Sequence, residues 1–198
     1  MALDVLTNAP VISEAVAELS REIARSVVLV RGSRGSAGSG VIWDRPKLVI
    51  TNAHVVHGPT AELVVANGRR LLGRVVRRAP SLDLAALEVD DDLEARAQVG
   101  DSDALRVGDL VLAVGNPMGE RNAPSLGIVS GQPDDIVRLS ITLRPGNSGG
   151  ALVNARGEVV GIPHLVAGSG VAMAVASRTV ARFLAGIEPV QSGDLDWV

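Results

Sequence analysis

The stretch LRPGNSGGAL, residues 143–152, places a single serine among glycines immediately before an apolar run. Gly, Pro, Asn and Ser dominate turns for reasons of backbone geometry, so a tight turn is one interpretation. The other is chemical, because small neighbours leave the Ser148 hydroxyl open and let a substrate approach the backbone closely. The stretch alone leaves both interpretations open. A nucleophilic serine also needs a base and a group that orients the base.

Two residues elsewhere in the chain are suited to these roles. His54 follows the apolar run KLVI, where a strand is predicted to end. Asp83 lies in SLDLAALEV, directly before a run predicted to be buried, so its carboxylate would be held beside the core. The order His54, Asp83, Ser148 is the order that chymotrypsin-like enzymes use for base, orienting acid and nucleophile. These three residues are therefore our candidate catalytic triad.

Short apolar runs alternate with turn residues along most of the chain, as in ELVVA before NG and DLVLAVG before NP. This pattern is typical of an all-β sandwich or a pair of barrels. Helical spacing of apolar residues predicts a short N-terminal helix over 11–25. A closing helix is predicted over 177–186, with Ser177 as its N-cap and Gly186 past its end. We interpret the Gly/Ser-rich segment 33–40 as a hairpin loop.

Composition limits the class of protein. With 198 residues, 46% hydrophobic and 21% charged, the chain is expected to fold as one domain with a sizeable core. A net charge of −3 argues against nucleic acid or an anionic membrane as the main partner. The lack of cysteine excludes disulfides and thiolate metal sites. No signal peptide or membrane-spanning run is visible, so we expect a cytoplasmic location.

Six blocks of the sequence together resemble the protease domain of HtrA/Deg-type serine proteases. In order they are GSGVIWD…LVITNAHVV, DLAALEV, GDSDALRVGDLVLAVGNPMG, LGIVSG, LRPGNSGGALVN and GEVVGI. The resemblance implies a chymotrypsin-like fold of two six-stranded antiparallel β-barrels, over about 26–95 and about 105–176 of a single domain. It also implies a serine endopeptidase that acts on unfolded or exposed polypeptides and needs no cofactor or metal.

The resemblance assigns a role to each matching residue. Ser148 would be the nucleophile, His54 the general base and then acid, and Asp83 the orienting carboxylate. The backbone N–H groups of Gly146 and Ser148 would form the oxyanion hole. This last assignment has a physical basis of its own, because a glycine at that position can turn its N–H inward without a Cβ clash.

The chain departs from the family pattern around the expected substrate cleft. No PDZ domain is visible, and the segment between LGIVSG and the nucleophile is shorter than the family's activation loop. The strand expected to bind the substrate backbone contains Pro163, which lacks an N–H donor, and the titratable His164. None of the predicted substrate-binding residues is acidic, so we predict a small or medium aliphatic P1 side chain. These residues are Thr142, Leu143, Ile162, Pro163, His164 and Leu165.

Other interpretations remain for parts of the site. His54 and His57 form an HxxH pair, but a zinc site needs three or four ligands and the sequence offers no suitable others, so we interpret His57 as a loop residue. The protein could instead be a peptide-binding module without activity, which an intact triad argues against. A third hypothesis is a subunit that a partner or oligomerisation activates. The resemblance implies a homotrimer.

Overall fold

The computed structural model describes residues 5–165 and 172–186, and its strands form two closed antiparallel β-barrels of six strands each. In the first barrel the strands are β1 Val27–Arg31, β2 Ala37–Ile42, β3 Leu48–Thr51, β4 Thr60–Val64, β5 Arg70–Ala79 and β6 Leu84–Glu88. In the second they are β7 Leu110–Gly115, β8 Ala123–Gly131, β9 Ile136–Ser140, β10 Ala151–Asn154, β11 Val159–Leu165 and β12 Ala172–Ala176. The two predicted barrels are confirmed.

Two helices flank the barrels, as predicted. Helix α1, Val5–Ala24, begins earlier than expected and includes Pro10, whose fixed φ fits a helix although its missing N–H costs one hydrogen bond. Helix α2, Ser177–Ala185, ends at Gly186, which has a φ of 81° and is the expected left-handed C-cap. Within the described ranges, neither helix is long and apolar enough to cross a membrane.

The predicted N-cap role of Ser177 is wrong. The residue before it, Ala176, occupies the cap position, and Ser177 is the first residue of α2. Its hydroxyl donates to the carbonyl of Gly100 at 2.8 Å and accepts the N–H of Ser102 at 3.1 Å. Because these bonds engage the hydroxyl with the loop before the second barrel, Ser177 attaches α2 to that loop.

The Gly/Ser-rich segment 33–40 is not all loop, because its second half belongs to β2. A Cβ on Gly40 would lie 2.7 Å from the Val49 side chain, and one on Gly38 would lie 2.7 Å from the Val55 side chain. Both glycines therefore serve close packing within the barrel, while the chain there stays extended. Composition suggested a turn because turns and tightly packed strands both favour glycine.

Buried aliphatic side chains form three clusters. One fills the first barrel, one fills the second, and one lies between the barrels and reaches both helices. We call the last the shared cluster, and it includes Ile50, Leu84, Val114, Ile162 and Phe183. Since the shared cluster packs side chains of both barrels together, it fixes how the loops of one barrel face those of the other.

Candidate active site

His54 and Asp83 come together at the end of a paired set of strands. His54 lies in the turn after β3, and Asp83 directly precedes β6. These strands pair with Thr51 opposite Ala85, which brings the turn and the acid side by side. The His54 Nδ1 lies 2.8 Å from Asp83 Oδ2, and the His54 backbone N–H donates to Oδ1 at 3.0 Å. The carboxylate thus holds both the ring and the main chain of His54.

The main chain of Asp83 is also fixed. Its φ of 51° lies in the left-handed region, which aspartate adopts more readily than most residues. Its carbonyl accepts the N–H of Ala53 at 3.1 Å and the side-chain amide of Asn52 at 2.9 Å. Hydrogen bonds therefore run from Asp83 to three successive residues of the turn, so that turn and acid form one unit.

The Asp83 carboxyl has a second imidazole partner. The Nδ1 of His164, on β11, lies 3.3 Å from Asp83 Oδ2. Burial by itself would raise the pKa of Asp83, but hydrogen bonds from His164 and His54 outweigh it and hold that pKa well below its usual range. The group is therefore ionised at neutral pH. Sequence analysis missed this contact, because it depends on the register of β11 against the first barrel.

Ser148 lies in the turn before β10 and is 6% exposed. Its carbonyl accepts the backbone N–H of Ser39, on β2, at 2.8 Å. The N–H of the next residue, Gly149, donates to the carbonyl of Pro163 on β11 at 3.0 Å. The candidate nucleophile is thus held by hydrogen bonds to a strand of each barrel.

Two sets of contacts bring the three candidates of the triad to one region. A Cβ on Gly38 would lie 2.7 Å from the side chain of Val55, the residue after His54, and 3.0 Å from the carbonyl oxygen of Ser148. On β11, the adjacent residues Pro163 and His164 contact Gly149 and Asp83 respectively. The site therefore lies where the two barrels meet.

The turn before Ser148 needs glycine at position 146. Gly146 has a φ of 103°, and a Cβ there would lie 2.5 Å from the carbonyl oxygen of Asn116. The carbonyl of Pro145 accepts the N–H of Met118 at 3.0 Å. Since the peptide is trans, the Gly146 N–H points in the opposite direction, away from Met118.

The buried Ser39 side chain supports the same turn through hydrogen bonds, a role that sequence analysis missed. Its side chain is fully buried, and its hydroxyl donates to the carbonyl of Gly146 at 2.7 Å. The hydroxyl also accepts from Asn116, from the backbone N–H at 2.8 Å and from the side-chain amide at 3.1 Å. The signal was a serine between two glycines, which we had interpreted as part of a loop.

The predicted substrate-binding residues differ in exposure. Thr142 is exposed, Leu143 is partly buried against the core of the second barrel, and His164 is partly buried. Ile162 is fully buried in the shared cluster, so its side chain cannot contact a substrate and can only pack behind residues that do. Pro163 is buried as well. The side chain of Leu165 lies outside the described residues. His57 is exposed, in the loop where it was expected.

The family of trypsin-like peptidase domains matches residues 38–162, more than half of the chain. The chain belongs to the trypsin-like peptidases. The match includes all three candidate triad residues and runs from β2 to the middle of β11. The fold of two six-stranded barrels agrees with it.

Named relatives place this trypsin-like peptidase among the HtrA type. It is 36% identical to serine protease HTRA4 of Homo sapiens over 194 residues, which is 86% of this chain and 41% of that protein. It is 38% identical over 137 residues to the periplasmic serine endoprotease DegP of Escherichia coli K12, covering 63% of this chain and 29% of DegP. The peptidase thus spans less than half the length of these relatives.

A solved structure supports the same assignment to the HtrA type. The HtrA-type protease AlgW with tripeptide superimposes with a TM-score of 0.78 and 29% sequence identity, over 87% of this chain and 64% of that one. The expected HtrA-type protease domain is therefore confirmed.

Proposed function

We propose that this trypsin-like peptidase is a serine endopeptidase that hydrolyses peptide bonds in unfolded or exposed polypeptides. Ser148 acts as the nucleophile, His54 as the general base and Asp83 as the orienting carboxylate. The observation that carries the proposal is the 2.8 Å contact of His54 Nδ1 with Asp83 Oδ2, beside the turn that holds Ser148. With Nδ1 directed at the carboxylate, Nε2 is the ring nitrogen left to take a proton from serine.

The reaction would run as two acyl transfers. Ser148 Oγ bonds to the scissile carbonyl carbon as its proton passes to His54 Nε2, and the oxyanion accepts hydrogen bonds from the N–H groups of Gly146 and Ser148. His54 then protonates the leaving amine, the C–N bond breaks, and an acyl ester on Ser148 remains. Water, activated by the same imidazole, attacks the ester, and the acid product leaves with the serine hydroxyl restored.

Contacts around Gly146 support a site that is competent without a partner. The carbonyl of Pro145 is engaged by Met118 and the carbonyl of Gly146 by Ser39, so the peptides on both sides of Gly146 are already oriented. A preformed donor needs no reorganisation during the reaction. This favours an active chain over the alternatives of a binding module or a partner-activated subunit. Trimer formation and a cytoplasmic location remain proposals from the sequence.

The substrate would bind as a strand along the end of β11. Strand β10 pairs with β11 only as far as Gly161, so among the described strands residues 162–165 pair with β12 alone. The Pro163 carbonyl is taken by the Gly149 N–H, which leaves the backbone of His164 and Leu165 to meet a peptide. An extended peptide can add to such an edge. AlgW, the similar HtrA-type protease, was solved with a tripeptide and with a decapeptide. Thr142 and Leu143 supply no negative charge, which supports an aliphatic P1 residue over Lys or Arg.

Digestion of casein tests this function. We expect the wild type to cleave casein and Ser148→Ala to leave it intact, with cleavage sites mapped by mass spectrometry mostly after Val, Ala, Leu or Ile. Equal digestion by both proteins would show a contaminating protease and contradict the assignment of Ser148. A majority of cleavages after Lys or Arg would leave the activity standing and overturn the P1 preference.

A further inference from the structure

We propose that His164 is a positioning residue for Asp83, donating a second imidazole N–H to the carboxylate oxygen that His54 also contacts. The inference rests on the proposed function, since it assigns a role within that triad. It also changes the role that the sequence suggested for His164, from contact with the substrate to support of the catalytic acid.

The geometry places two imidazoles on one oxygen. Asp83 Oδ2 lies 2.8 Å from His54 Nδ1 and 3.3 Å from His164 Nδ1, while Oδ1 accepts the His54 backbone N–H. An ionised carboxylate only accepts hydrogen bonds, so each ring must present an N–H to it. The terminal torsion of an aspartate is broad, so each further donor to the carboxylate narrows the range of its rotation. A donor from a different barrel restricts that rotation.

Burial distinguishes the two rings. The His164 side chain is 20% exposed and that of His54 is 49% exposed. The Nε2 of His164 is buried without a hydrogen-bond partner among the described residues. A proton on Nε2 would be a buried donor left unpaired, which is unfavourable, so the ring carries its proton on Nδ1. His164 is therefore built to donate to Asp83 and not to exchange protons with a substrate.

In the described part of the chain, Asp83 is the only charged group that His164 contacts. Its neighbour across the strand pair, on β12, is the uncharged Met173. The sequence of residues 166–171 contains no ionisable side chain. Because Pro163 binds Gly149 and His164 binds Asp83, one short piece of β11 sets the spacing between the acid and the nucleophile turn.

Substitution of His164 tests the role through kcat and KM on a peptide with an aliphatic P1 residue. His164→Ala should lower kcat about tenfold with KM within about twofold of the wild type, because the binding surface stays and the orientation of Asp83 is lost. His164→Asn should recover most of kcat, since its amide NH₂ occupies about the position of Nδ1. His57→Asn, on the exposed third histidine, is the matched control and should behave as the wild type. An unchanged kcat in His164→Ala, or no recovery in His164→Asn, would overturn the proposal.

A spectroscopic measurement tests the same contact without activity. In Ser148→Ala labelled with ¹⁵N, the three imidazoles can be followed separately, and His164 should carry its proton on Nδ1. Asp83→Asn should shift the His54 and His164 resonances and leave those of His57 in place. A proton on Nε2 of His164, or no response to Asp83→Asn, would contradict the hydrogen bond. If the wild type lacks protease activity, the proposed function fails, and this spectrum still decides whether the contact exists.

Discussion

Asp83 receives hydrogen bonds from two imidazoles and from a backbone N–H, and this explains why a half-buried carboxyl stays ionised. Folding lowers its pKa, so the ionised form stabilises the native state. That stabilisation is complete above the pKa of an unfolded aspartate, about 3.9, and is lost as the pH falls toward the lower native pKa. Protonation of Asp83 in acid therefore removes part of the stabilisation of the native state.

Asp83→Asn removes this pH dependence. The difference in unfolding free energy between wild type and Asp83→Asn should shrink as the pH falls below about 4. Urea unfolding followed by circular dichroism at a series of pH values measures it. A difference that stays constant or grows between pH 4 and pH 3 would show that folding does not lower the Asp83 pKa.

The turn at residues 145–149 shapes the candidate site through its backbone, more than any single side chain does. Residues 145–149 are held by β2, by β11 and by the turn at Met118, so the donors at Gly146 and Ser148 belong to a rigid segment. The strand pattern predicted an all-β sandwich or a pair of barrels, the resemblance to HtrA-type proteases implied two six-stranded barrels, and the glycine motif indicated a turn here. The contacts of Ser39 and His164 were not predictable, because each joins elements far apart in sequence and depends on the register between the barrels.

Gly146→Ala should destabilise the fold through a collision as well as through backbone strain. Gly108 offers a matched control, because its φ of 93° is similar and a Cβ there would meet no atom within 4 Å. Gly108→Ala should cost about 1–2 kcal/mol for the left-handed backbone alone. Gly146→Ala should cost about 1–3 kcal/mol more, because its Cβ would meet the Asn116 carbonyl. Equal losses in thermal unfolding of the two variants would show that position 146 has room for a side chain.

Ser39→Ala tests the support under the same turn. Without the hydroxyl, the Gly146 carbonyl and the Asn116 N–H lose a buried partner, which should cost about 1–3 kcal/mol and lower kcat more than it raises KM. The exposed β8 residue Ser130 is a control, and Ser130→Ala should stay within about 0.5 kcal/mol of the wild type. A Ser39→Ala protein with native stability and native kcat would rule out this supporting role.

The shared cluster packs the two barrels against each other, and the candidate site is built from both barrels. Phe183 of α2 is 2% exposed in this cluster, and the Arg77 guanidinium lies over its ring, 5.3 Å from the centroid. Helix α2 thereby joins the first barrel, through Arg77 on β5, to the end of the second. The position of the candidate site therefore depends on the same packing that stabilises the fold.

Phe183→Ala should lower the free energy of unfolding by about 3–5 kcal/mol, because it leaves a cavity in the shared cluster. Leu126, an apolar residue that is 48% exposed, provides the control, and Leu126→Ala should change stability by less than about 0.5 kcal/mol. Guanidinium unfolding of both variants gives the comparison. Similar small losses for both would mean that the shared cluster does not hold the barrels together.

Whether His54, Asp83 and Ser148 work as a triad is tested by reaction of the folded protein with a fluorophosphonate probe, followed by intact mass and peptide mapping. We expect a single adduct on Ser148 in the wild type, none in Ser148→Ala, and much slower labelling in His54→Ala. No adduct in a folded wild-type sample, or an adduct on another residue, would contradict the assignment of His54, Asp83 and Ser148 as a working triad.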